Sequence, residues 1–429
     1  MSASSVAAGT PRGRSGYVRG ARILSVGIAT TGLVTFAYFA LAAHALEAVE
    51  YKRISLLWSV LFVIVSVIYR PIEQLLSRTI ADRRARGLHE HPVAVPLLIQ
   101  AAFAAAFLAV ALAFRDPLQN DLFDGSASIY WILVVGVLAY AASYFARGFL
   151  AGHQRFALYG ALVFLEACSR VCFALAVVVG IADGQTAVAL GIAAAPLFSL
   201  VVVPWFFMRR DPPADPQAVK ETEGGLTLRH GAGFATAVFA VMVAEQTLIN
   251  GAVLTVEATS SDAILAGVVF SVLLLARAPL QLFQAIQGSL LPHLAGLEAT
   301  AGRGEFQHAI RVTLVAIAAF AAVVSIGLLV VGPPVVRALF DIRRELSGPG
   351  LALVGLGMGF HLIAGTLNQA ALARGQARAA AAAWLFAAGV FIAWMLSPVI
   401  DDQLLRTEVG YCGATSLLSA LLALVYRRG

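Results

Sequence analysis

Residues 69–74 read Tyr69-Arg70-Pro71-Ile72-Glu73-Gln74, and residues 276–281 read Ala276-Arg277-Ala278-Pro279-Leu280-Gln281; both lie inside long apolar segments. An ionised arginine in hydrocarbon costs several kcal/mol unless it faces protein or water. Two of them at matching places in the two halves of the chain therefore predict one internal polar chamber, and the remaining sequence is laid out around it.

Of the 429 residues, 60% are hydrophobic and 13% charged, and the mean hydropathy is +0.84. That is more apolar than a soluble core requires, so the expected class is an all-α polytopic membrane protein. A bilayer core takes about 20 apolar residues per helix. Twelve spans are expected, at approximately 23–46, 54–77, 93–114, 129–150, 157–181, 185–208, 233–256, 262–290, 309–332, 350–372, 379–400 and 407–426. The longest loop carries Pro212, Pro213, Pro216 and mixed charge, as an exposed linker does. The expected domains are thus a six-helix lobe over 1–208, a cytoplasmic linker over 209–232 and a second six-helix lobe over 233–429.

Cytoplasmic loops carry the excess of Lys and Arg. With the N-terminus inside, 20 of the 30 basic residues fall on inner segments, Arg147 and Arg155 among them. Seven (Lys52, Arg53, Arg115, Arg337, Arg343, Arg344, Arg406) fall on outer segments, and three (Arg70, Arg170, Arg277) fall within spans. The expectation is a multi-pass protein of the cytoplasmic membrane with both termini cytoplasmic. This bias accounts for a pI near 9.5 without a nucleic-acid partner. The apolar run from Ile23 to Leu46 is 24 residues, longer than a signal-peptide core of about 7 to 15, which favours an uncleaved first helix. Cys168, Cys172 and Cys412 are not placed for an extracytoplasmic disulfide.

The halves echo one another twice. The Arg70 segment in span two matches the Arg277 segment in span eight. Leu150-Ala151-Gly152-His153-Gln154-Arg155 after span four faces Leu372-Ala373-Arg374-Gly375-Gln376-Ala377-Arg378 after span ten. An offset of six spans is even, so the repeats are parallel and related by a pseudo-two-fold along the membrane normal, with a substrate path between lobes. On span two, Arg70, Glu73, Gln74 and Ser77 share a helix face; on span eight, Arg277, Gln281, Gln284 and Gln287 do the same. Span five adds Glu166 and Arg170, span seven adds Glu245, Gln246 and Asn250, and span ten adds His361, Asn368 and Gln369.

Each group also has a purely structural reading. Glu166 and Arg170, one turn apart, suit an intrahelical ion pair that only holds the bundle together, and Arg70 with Glu73 suits another. Arg277 has no acid at i±3 or i±4, which favours a cavity role. The amides suit interhelical bonds worth about 0.6 kcal/mol each, and His361 suits a satisfied core histidine.

The segments YRPIEQLLSRTIADRRARG (69–87), RGFLAGHQRFALYG (147–160) and RAPLQLFQAIQGSLLPHLAGL (277–297), set in two six-span halves, resemble the polysaccharide flippases of the multidrug/oligosaccharidyl-lipid/polysaccharide exporter superfamily. The resemblance extends over nearly the whole chain. It implies a V-shaped pair of bundles that moves a lipid-linked oligosaccharide across the membrane by alternating access, with polysaccharide polymerase and glycosyltransferases as partners. It further implies that cavity arginines, here Arg70, Arg170 and Arg277, meet a diphosphate or acidic sugar. The expected spans lack the two extra helices of the lipid II flippase branch, which points to a capsule, cell-wall or exopolysaccharide precursor.

The expected substrate-binding set is Arg70, Gln74, Arg170, Gln246, Asn250, Arg277, Gln281 and Gln284. Arginine suits phosphate, and amides offer donors and acceptors to sugar hydroxyls. The only lysines, Lys52 and Lys220, end no GxxxxGK pattern, which excludes a P-loop ATPase. Protons or sodium then remain as the driving ions, with Glu73, Glu166 and Glu245 as carboxylate candidates and Glu245 favoured because it lacks a near arginine in sequence. His89-Glu90-His91 lacks the HExxH spacing, so no metal or cofactor is expected. Two alternatives stand. One is an ion-coupled multidrug antiporter of the same superfamily; the other, less favoured given the short outer loops, is a membrane glycan polymerase or glycosyltransferase.

Overall fold

The computed structural model describes residues 30–85, 93–207, 228–275 and 302–428, which are helical and contain no strand. Arg277, Gln281, Gln284 and most of the expected linker lie outside the described residues. The first lobe holds α1 (Thr30–Ala45), α2 (Ala48–Ile68), α3 (Arg70–Ala85), α4 (Ala94–Ala113), α5 (Ala127–Gly152), α6 (Phe156–Val178), α7 (Gly184–Ser199) and a short α8 (Pro204–Phe207). The second holds α9 (Leu228–Thr259), α10 (Leu265–Leu275), α11 (Gly302–Phe340), α12 (Gly348–Ala373), α13 (Ala377–Leu396) and α14 (Gln403–Arg428). With α2 and α3 counted as one, ten stretches among the described residues are long and apolar enough to cross a membrane; the shorter α1 and α10 each border undescribed residues. Each of the twelve expected spans overlaps a helix, the first and the eighth over their described residues only.

Span two differs from its expected form in two ways. It starts at Ala48, where Glu47 and Glu50 form a reciprocal capping box, so Lys52 and Arg53 belong to the helix and not to a loop. It also breaks at Tyr69. Pro71 has no N–H to continue the ladder, and Ile72 and Glu73 instead donate to the Tyr69 carbonyl at 3.1 and 2.9 Å. Arg70 thus opens α3 about 33 Å along the span from Ala48.

The repeat is visible at α5 and α12, each 26 residues long and displaced by 221. Ser126 and Ser347 cap their N-termini by accepting from Ile129 N and Gly350 N. Both ends close with one hydrogen-bond ladder: Gln154 N to Ala151 O and Arg155 N to Leu150 O in the first, Gly375 N to Leu372 O and Gln376 N to Ala371 O in the second. The left-handed residue is Gln154 (φ 57°) in one and Gly375 (φ 73°) in the other. The matching letters Leu150 and Leu372 are thus one residue out of structural phase.

Within the first lobe α3 packs on α5, α5 on α7 and α6 on α7; within the second, α12 lies between α11 and α14, and α13 packs on α9 and α14. Contact between lobes runs mainly along α2 and α9. The most peripheral helix is α11, which exposes Val312, Val315, Val323, Ile326 and Val330, a surface suited to acyl chains.

Candidate functional site

Gly148 and Gly152 on α5 let its backbone lie directly on α3. A Cβ on Gly148 would come within 2.8 Å of the Glu73 carbonyl oxygen, and one on Gly152 within 2.6 Å of Ile80 Cβ. This small-xxx-small spacing brings Arg147 against the carboxylates of its neighbours. Arg147 Nη2 donates to Glu166 Oε2 on α6, and the Ser143 hydroxyl donates to the other carboxylate oxygen, which also accepts from Ser199 Oγ at 3.4 Å. The Arg147 guanidinium lies 4.6 Å from the centre of the Tyr144 ring.

The expected intrahelical pair between Glu166 and Arg170 does not close. Arg170 donates from Nη1 to the Tyr140 hydroxyl at 2.8 Å and sits 5.1 Å above the Trp58 ring, with a hydroxyl and a π-face as its partners. Glu73 accepts from the Tyr159 hydroxyl at 2.8 Å and lies within the fields of Arg147 and Arg70. The buried Nε atoms of Arg147 and Arg170 have no hydrogen-bond partner among the described residues. Two guanidinium donors are therefore left for water or solute.

Arg70 is half-buried and interacts electrostatically with Glu245 of the second lobe, as well as with Tyr144, Glu73 and Tyr159. Glu245 in turn acts on His361, which is buried on α12 against the Trp384 and Tyr411 rings. The charge of Glu245 thus acts on a cation of the first lobe and on an imidazole of its own lobe. Gln246 and Asn250 are buried and bond to each other at 3.0 Å, and Asn368 accepts from Trp384 Nε1 at 3.2 Å. Gln74 is exposed.

Sequence reading missed Arg147, assigned to an inner segment for topology, together with Ser143, Tyr144, Tyr159 and Ser199. The available signal was the Arg147-Gly148 pair with Gly152 four residues on. It also missed Lys52. That side chain is 4% exposed, with its Nζ 2.8 Å from Glu257 and 3.1 Å from Asp124; Asp124 also accepts from Arg53 Nε at 3.1 Å. Burial alone would raise the Asp124 carboxyl, but the bonds and charges of Lys52 and then Arg53 hold it below the usual carboxylate range. No cluster of three or more His, Cys, Asp or Glu suited to a metal occurs among the described residues.

No family model matches the sequence, and no curated protein does. Solved structures do match the fold. An inward-facing multidrug resistance MATE family transporter of the MOP superfamily aligns with TM-score 0.71 and 11% identity over 95% of this chain and 97% of that one. An outward-facing MATE transporter of the same superfamily gives 0.66 and 14%, covering 96% and 95%. A eukaryotic MATE transporter gives 0.64 and 13%, covering 96% and 97%. The polar cluster is therefore set in a two-lobed, all-helical fold like that of these multi-pass transporters.

Proposed function

We propose that this protein is an ion-coupled exporter that moves an organic solute across the membrane by alternating access between its two lobes. The reading is supported by Glu245 of α9, whose charge acts across the seam on Arg70 and within its own lobe on His361. A carboxylate within the field of a cation on the opposite lobe changes its surroundings whenever the lobes move apart. Binding of a coupling cation there is in that way tied to the state of the cleft. The multidrug transporters with the same fold support the antiporter reading over lipid-linked glycan transport. The better overlap with the inward-facing structure supports a cleft closed at the end where Lys52 lies.

One observation favours the glycan reading: among the described residues Arg170 has no carboxylate partner and its buried Nε donor is unused, as in the receiver of a phosphate or acidic sugar. A single pair of measurements separates the two. In proteoliposomes with an imposed pH gradient, the antiporter expels an organic cation as protons enter. In cells, the flippase alternative predicts loss of a surface glycan on deletion with no change in drug tolerance. Gradient-insensitive efflux together with glycan loss would reverse the order.

A further inference from the structure

A lysine ammonium taken out of water costs several kcal/mol unless charges and hydrogen bonds replace its hydration. At Lys52 they come from both lobes. Asp124 belongs to the turn before α5, whereas Glu257 is in the last turn of α9. Among the described residues, Lys52–Glu257 is the one ion pair that crosses the seam; the pairs of Arg53, Arg147 and Arg344 each stay within a lobe.

The surroundings fit that junction. Gly267 brings the α10 backbone onto α2, since a Cβ there would lie 3.2 Å from Lys52 Cα. The Tyr51 and Ser271 hydroxyls bond across the seam at 2.9 Å, and the Phe39 and Phe270 rings meet at 4.7 Å. Beside this contact the seam opens into a cavity of about 560 Å³ walled by His44 and Glu47 from one lobe and by Ile264, Arg343 and Arg344 from the other. Closure at this end is thus concentrated around Lys52.

We propose that Lys52, held in place by Asp124, and Glu257 form a latch that keeps this end of the transporter shut and must break for it to open. This rests on the alternating-access reading and adds the residues that set the balance between states. When the lobes part, Glu257 becomes hydrated and water enters beside Lys52 and Asp124, which weakens their attraction as well. Losing the pair therefore destabilises the closed end specifically.

The test uses the full-length protein in lipid nanodiscs with Cys168, Cys172 and Cys412 replaced. Spin labels go at exposed Asn120 and Ser261 across the latch end, and in a second sample at exposed Gln154 and Arg378 across the opposite end. Glu257→Gln and Lys52→Met should each lower the short-to-long distance ratio at the latch end by about tenfold, the scale of one close charge pair. The opposite end should narrow correspondingly, and Lys52→Arg should keep the wild-type ratio. If a neutral variant does not fold, Asp124→Asn carries the test with a smaller shift in the same direction. Wild type exchanging between two distances while every neutral variant keeps its populations would overturn the latch alone. One fixed distance at both ends in all proteins, with and without a pH gradient, would overturn alternating access as well.

Discussion

Arg147 on α5 grips the carboxylate of Glu166 on α6, while Arg170, one turn from Glu166 on its own helix, turns to the Tyr140 hydroxyl. The tie therefore runs between helices. Removing one partner of a buried pair leaves an uncompensated charge and costs about 3–5 kcal/mol, whereas removing both is far less harmful. Arg147→Met should lower the thermal unfolding midpoint of the purified protein sharply, and Arg147→Met with Glu166→Gln should recover most of it. A double variant no more stable than the single one would show that Arg147 has another essential partner.

The close crossing of α3 and α5 rests on Gly148 having no side chain. Even alanine would place a carbon 2.8 Å from the Glu73 carbonyl and 3.0 Å from its Cα, both rigid backbone atoms. Gly148→Ala should cost about 1–3 kcal/mol, the usual range for overpacking, and Gly148→Leu more. Folded yield and midpoint measure the effect. Wild-type stability in Gly148→Leu would mean that the helices are not bound to this separation.

Helix positions were legible because each span had to be apolar along its whole length, whichever way it faced. Partners were not, because spacing along one helix says nothing about the helix packed beside it. Glu166 and Arg170 were spaced to pair and did not; Arg147 read as a topology signal and lies in the polar core. Lys52 misled for a related reason: a basic residue near a span end is usually solvated, and burial here depends on Glu257, 205 residues away. The repeat was read correctly as a pattern but one residue out of phase, since Gly375 takes the left-handed place held by Gln154.

Glu245 makes the coupling proposal testable at one atom. Glu245→Gln keeps the shape of the side chain, removes its charge and exchanges one acceptor oxygen for an NH2 donor. Efflux driven by a pH gradient should fall by about tenfold or more, while downhill exchange of the same solute continues; a change of about 1.4 kcal/mol suffices. Glu73→Gln is the control, since Glu73 sits within the first lobe against Tyr159. Full gradient-driven efflux by a folded Glu245→Gln protein would remove it from the coupling site.

The latch should be indifferent to pH through the physiological range. Asp124 is held below the usual carboxylate range by Lys52 and Arg53, against the opposing effect of burial. For a group whose folded value is depressed, the stabilisation is complete above the unfolded value, about 3.9, and is lost as pH falls through the folded one. Distances between labels at positions 120 and 261 should therefore hold from about pH 8 to about pH 5, with opening only below about pH 4. Protonating Asp124 frees Lys52 from its anchor, so the acid opening should be smaller in Asp124→Asn, whose starting ratio is already lower. Opening centred between about pH 5 and pH 7 in wild type would assign control to a group that titrates there, and His361, buried against Trp384 and Tyr411 in the second lobe, would be the first residue to replace.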